Sequence, residues 1–309
     1  MPDGSHNAMS NSLHDERTAL GAVDALSTKE GAGFAVRRPF PTARLDNVGP
    51  FLLLDEMGPA DNGPGEAAGA PDHPHRGFET VTYVLDGEIV HKDSQGNRGL
   101  ITPGDVQWMT AGAGIVHSEM PSAKILREGG RAHGFQLWVN LPKKAKWNRP
   151  RYQDLQAEDM PVVEFDGGSA VVISGHTHGV DGVADTFLPI TYLHLKVYPE
   201  EEVTLEIEPE HQAFVYVFTG SGLIGKDRRQ MGSGQMAVFD KEAGRLTVVG
   251  GKDGFQAMVG SAEPLIEPIA RYGPFVMNTR EEIVQAFDDY QNGKMGTIEP
   301  ELSDSMESG

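Results

Sequence analysis

The sequence predicts an all-β protein made of two tandem β-barrels with one helix close to the C-terminus. Three observations predict it. Short β-branched or alternating runs recur between Gly, Pro and Asp turns, one stretch is echoed in outline in the second half of the chain, and only one late segment carries helix signals. Regular strand spacing with turn punctuation is the mark of a sandwich or barrel.

The strand runs, in order, are FLLLDEM, ETVTYVLDG, RGLITPGDVQWM, GFQLWVNLP, AVVISG, TYLHLKVYP, EEVTLEIEP, AFVYVFTGSG, GQMAVFD and RLTVVGG. Between the first two, Met57 to Asp72 reads MGPADNGPGEAAGAPD, a Gly, Pro and Ala composition that predicts a long loop leading to a pair of histidines. The echo sets TYVLDGEI at 82–89 beside VYVFTGSGLIG at 215–225, and TPGDVQWMTAG at 102–112 beside GSGQMAVFDKEAG at 232–244. Aligning Gly87 on Gly220 places Glu206 and Glu208 opposite His73 and His75, and no histidine lies near Thr247. The first copy therefore carries a candidate site and the second is expected to be structural. The helix is expected over REEIVQAFDDYQNG, with Asn278 or Thr279 as its cap, acids in its first turn and Gly293 past its end. The expected organisation is a disordered arm over 1–20, an N-terminal metal-binding barrel over 21–160, a C-terminal barrel with the helix over 161–295, and a disordered acidic tail over 296–309.

Composition narrows the chemistry. Lys and Arg total 26 against 45 Asp and Glu, a formal charge of −19 that repels phosphate backbones and anionic lipid. Direct nucleic-acid binding and membrane binding are not expected. The 309 residues contain no cysteine, which excludes disulfides, thiolate metal sites and thiol catalysis. No run of about 20 apolar residues appears, and the N-terminus lacks the apolar core of a secretory signal. A cytoplasmic location is expected.

The residues that carry chemistry are DHPHRGFETVTYV at 72–84 and GIVHSEMP at 114–121. A strand repeats its side-chain direction every two residues, so His73 with His75, and His117 with Glu119, each form a same-face pair. Brought together they offer three imidazoles and a carboxylate, a set that suits iron, manganese, copper, nickel or zinc rather than calcium or magnesium. Glu79 shares the parity of His73 and His75 and is a rival carboxylate, which spacing leaves open. His176 and His178 repeat the spacing, but flanking glycines favour a turn. His91, His133, His194 and His211 have no partner at i+2 and are read as unligated. Val81, Tyr83 and Leu85, in phase with Glu79, are expected to face the barrel interior. Phe78, Trp138 and one of Trp108 and Met109 are rim candidates, and Arg76 is read as a surface ion pair.

HPHRGFETVTYVLDGEIVHKDSQGNRGLITPGDVQWMTAGAGIVHSEMP closely resembles the motif block of the pirin family, in the cupin superfamily. The resemblance continues through GFQLWVNLP at 134–142 and EPLIEPIARYGPFVMNTREEIVQAFDDYQNGKMG at 263–296. It implies two jelly-roll-like cupin barrels with metal in the N-terminal one only. The pirin ligands fall on His73, His75, His117 and Glu119, all of which match; Glu79 then becomes a residue behind the ligands. The resemblance further implies Fe(II), with Mn, Cu, Ni, Co or Zn as alternatives, and quercetin 2,3-dioxygenase activity on a flavonol or other enolic small molecule with dioxygen. Glu119 is the expected catalytic base. Other pirins act as metal-dependent partners of regulatory proteins or enzymes, and the same four residues serve that alternative.

Overall fold

The computed structural model describes residues 15–241 and 244–299. Among these, β-strands dominate, and they form the two expected barrels. In the N-terminal barrel a seven-stranded sheet runs in the order Arg151–Leu155, Val106–Thr110, Phe78–Asp86, Gly130–Asn140, Phe51–Asn62, Phe34–Phe40, Leu26–Glu30. It faces a four-stranded sheet ordered Ala70–His75, Ile115–Pro121, Ile89–Asp93, Arg98–Ile101. The C-terminal barrel is formed by a nine-stranded sheet whose hub is the long strand Arg245–Ala262.

The expected loop at 57–72 is mostly strand. Phe51–Asn62 continues past Met57 because Gly130, Arg131 and Ala132 of the neighbouring strand supply ladder partners for Asn62, Asp61 and Ala60. Composition alone favoured a loop, and tertiary pairing overrode it. Only the turn at 63–69 separates that strand from Ala70–His75.

Near both ends of the described residues the chain crosses to the other barrel. Ala19–Asp24 pairs with Gln235–Phe239, so this strand, expected to fall across the end of the arm and the start of the N-terminal barrel, completes the C-terminal sheet. Order also begins before the end of the arm expected over 1–20: Arg17 is buried and donates to the carbonyls of His211, Asp240 and Glu208. Residues 1–14 lie outside the described residues. In the opposite direction, the segment after Ala262 returns to the N-terminal barrel. There Phe275, Met277, Ile283, Ala286 and Met295 pack with Val116. Its helix, Arg280–Gln291, starts at Thr279 in a capping box with Glu282, and Gly293 follows the Asn292 cap at φ +70°. The start of the expected tail is anchored, since Ile298 packs on the same cluster; residues 300–309 lie outside the described residues.

The largest shared core lies between the barrels. Val81, Tyr83, Trp108, Phe135, Leu137 and Val139 meet Tyr192, Phe214, Tyr216, Phe218, Met236 and Met258 there. This corrects the expected phase of the Phe78–Asp86 strand. Val81, Tyr83 and the partly buried Leu85 face the other barrel, whereas Thr82 faces the N-terminal interior, where it meets Glu119. The cause is Gly77. His75 ends one strand, Phe78 starts the next, and Gly77 between them takes φ +87°, so side-chain parity does not carry across.

Candidate metal centre

Two adjacent strands build the site. Ala70–His75 and Ile115–Pro121 pair antiparallel with His73 directly opposite His117, and His75 lies two residues along on the same face. The ligand atoms of His73, His75 and His117 all lie within 4.8 Å of one another. Each ring is oriented through its Nδ1. His73 Nδ1 lies 2.7 Å from the Pro71 carbonyl and His75 Nδ1 lies 3.3 Å from the Pro274 carbonyl. A carbonyl can only accept, so both rings carry a proton on Nδ1, and the neutral form of each turns a bare Nε2 lone pair inward. Those two Nε2 atoms stand 3.1 Å apart. A proton on one of them makes this a hydrogen bond; with neither protonated the two lone pairs repel, and a cation shared by both converts the repulsion into coordination.

His117 completes the pattern. Its Nδ1 lies 3.2 Å from His91 Nε2, and its own Nε2 is buried without a hydrogen-bond partner. A buried, unpartnered nitrogen beside two inward lone pairs is the arrangement a metal ion satisfies. Burial holds the His75 and His117 imidazoles well below the ordinary histidine range, and each is pushed further down by its histidine neighbours. They are thus neutral, as ligation requires. The residues fit a mid-row transition metal.

Glu119 stands apart from the three rings. Its Oε1 accepts the Thr82 hydroxyl at 2.7 Å, and Thr82 in turn lies 2.7 Å from the Gln136 side-chain amide. Glu119 also lines a cavity of about 310 Å³ in the N-terminal barrel. Phe34, Met57, Ile89, Ile125 and Ala132 give this cavity a mainly apolar wall.

The rival residues fall elsewhere. Glu79 points away from the histidines, accepts the Thr110 hydroxyl at 2.7 Å, and is pushed up to about 7 by burial. It is therefore not the residue behind the ligands that the resemblance implied. His176 is exposed beside Asp181, and His178, at φ +46°, stacks on Phe165. His133 contacts Glu56, His194 bridges Tyr83 and Gln256, and His211 approaches Ser261. Phe78 and Trp138 pack on the His75 ring at 5.0 and 5.1 Å and do not line the cavity. Trp108 joins the core between the barrels, and Met109 packs with Ala111 and Ile115.

Sequence reasoning missed two residues. His91, read as unligated, touches no inward nitrogen but holds the back of His117; its strand, Ile89–Asp93, pairs it with Glu119 across the ladder. No spacing rule marks such a contact, because it arises between strands. Arg76, read as a surface ion pair, is buried against Asp289 of the C-terminal helix.

Comparison with known proteins agrees with this geometry. Residues 33–139 match the family described as Pirin, and residues 192–296 match the Pirin C-terminal cupin domain. The chain belongs to the pirin family. A pirin-like protein of Solanum lycopersicum is 40% identical over 299 residues, covering 94% of this chain and 96% of that one. Pirin of Homo sapiens is 42% identical over 270 residues, covering 86% and 90%. The crystal structure of a quercetin 2,3-dioxygenase from Acinetobacter baumannii superposes with a TM-score of 0.87 at 38% identity, covering 92% of this pirin and all of that chain. The fold is thus two cupin domains. Among the described residues of this pirin, no helix is long and apolar enough to cross a membrane.

Proposed function

We propose that this pirin is an iron-dependent dioxygenase that cleaves quercetin or a related flavonol, with His73, His75, His117 and Glu119 as the metal ligands. The observation that carries the reading is the convergence of three imidazoles, with Glu119 two residues along the strand from His117 and lining a mainly apolar cavity. The likeness to a quercetin 2,3-dioxygenase supports the substrate class.

When bound, iron(II) lowers the pKa of an enolic hydroxyl and gives electrons a route to dioxygen. The protein's own part is to hold, orient and shield. The Pro71 and Pro274 carbonyls and His91 fix the three rings, so little reorganisation is needed on binding. The apolar cavity takes the flat aromatic rings and keeps water from the reacting centre. Glu119 takes the 3-hydroxyl proton of the flavonol on a carboxylate oxygen, and the Thr82 hydroxyl, with Gln136 behind it, steadies that carboxylate. Both atoms of dioxygen enter the ring-opened product and carbon monoxide leaves.

Oxygen uptake with quercetin, measured for iron(II)-loaded and metal-free protein, tests the reading. Uptake that requires both iron and flavonol, with carbon monoxide released, is expected. Iron binding without uptake would contradict turnover and leave a metal-dependent binding protein.

A further inference from the structure

The segment Ala270–Met295 follows the last strand of the C-terminal barrel, yet it lies against the metal strands of the N-terminal one. We infer that this segment is a working part of the metal centre: it positions His75, and metal binding and segment docking strengthen each other. The inference rests on the three-histidine metal reading and is independent of the dioxygenase reaction.

The contacts converge on the two residues after His75. The Pro274 carbonyl accepts from His75 Nδ1 at 3.3 Å and so selects the tautomer that frees Nε2. Next to it, the Val276 amide donates to the Arg76 carbonyl at 3.0 Å, and Arg76 bridges Phe275. The Arg76 guanidinium donates from Nη1 to Asp289 of the helix at 2.8 Å and from Nε to the Ala113 carbonyl at 2.6 Å. One side chain therefore ties the first metal strand, the turn before the second, and the returning helix. Asp289 is itself held by Gln285 and Lys294.

Lys146 adds a second clamp. Its buried Nζ donates to the Gly77 carbonyl at 2.7 Å, the Val276 carbonyl at 3.0 Å and the Asn140 side chain at 2.6 Å. The approach is so close that a Cβ on Gly77 would stand 2.0 Å from the Val276 oxygen. On the second metal strand, Val116, next to His117, packs into the segment's apolar face. A ring aimed by a neighbouring carbonyl loses affinity for metal when that carbonyl moves, and linkage makes the effect mutual.

The test uses the full chain, metal-free, titrated with cobalt(II) and followed by visible absorption, beside hydrogen exchange of residues 270–295. Asp289→Ala is expected to weaken cobalt binding about tenfold and to change the absorption bands, although every ligand is retained. Asp289→Glu is expected to restore both, and Glu281→Ala, exposed on the same helix, to change neither. In the unmodified protein, cobalt is expected to slow exchange at Val276. Faster exchange in Asp289→Ala with unchanged affinity and spectrum would overturn the inference. So would a variant in which neither exchange nor affinity responds. Failure of the unmodified protein to bind cobalt would instead contradict the metal centre itself.

Discussion

The two barrels are built on the same ladder and differ in what they place on it. In the N-terminal barrel, His73 faces His117 across adjacent strands, and a cavity lies nearby. In the C-terminal barrel, the Glu202–Glu206 strand pairs with Arg245–Ala262, and there Leu205 faces Leu246 and Val203 faces Val248. All four are core residues, packed with Leu193, Leu195, Val215 and Val217. The comparison shows how one scaffold yields a site or a plug. Imidazoles on the inner face offer ring nitrogens as ligand atoms, whereas leucine and valine on the inner face close the interior. The second barrel serves the first by its surface, through the core between them, and by the segment it sends back.

The largest expected effect lies on the metal side of this comparison. His117→Ala removes the ring whose Nε2 has no other partner, and metal analysis of the purified variant is expected to show near-complete loss of bound iron with the fold retained. Retained metal would mean the ion sits elsewhere. Leu205→Ala makes the converse test. It is expected to cost about 2–5 kcal/mol of stability in denaturant titration, with metal content unchanged. A loss of metal there would show that the plugged barrel is not merely a support.

The smallest effect concerns the face of the Phe78–Asp86 strand. Burial raises Glu79 from an ordinary 4.5 to about 7. Between those values the folded chain keeps a proton that the unfolded chain has released, so stability falls as pH rises through this window. Glu79→Gln keeps an acceptor for Thr110 and removes the charge. It is expected to gain on the order of 3 kcal/mol at about pH 8 and nothing below about pH 4, by thermal unfolding at both. Bound metal is expected to be unchanged, which separates this carboxylate from Glu119.

The three-histidine cluster was legible because strand periodicity puts His73 and His75 on one face and marks His117 by the same spacing. Glu119, marked by that spacing too, stands apart from the rings, because the ladder shifts register between His117 and Glu119. The barrel repeat and the helix cap were legible because their signals are local. What failed crossed a break or a long distance. Parity could not be carried from His75 to Glu79, since Gly77 resets the strand direction. His91 and Arg76 gain their roles from partners on other strands or on the last helix. The strand Ala19–Asp24 pairs more than 200 residues away, and no local pattern names such a partner. Composition also misled at 57–62, where glycine and proline sit inside a strand held by its neighbour.

The central claim is that one ion is held by three imidazoles of the N-terminal barrel. Anomalous diffraction at the iron edge from crystals of iron(II)-loaded protein tests it most directly. The account predicts a single strong peak about 2.1 Å from the Nε2 atoms of His73, His75 and His117, with no peak inside the C-terminal barrel. A peak at His176 and His178, at Glu79, or within the second barrel would contradict it.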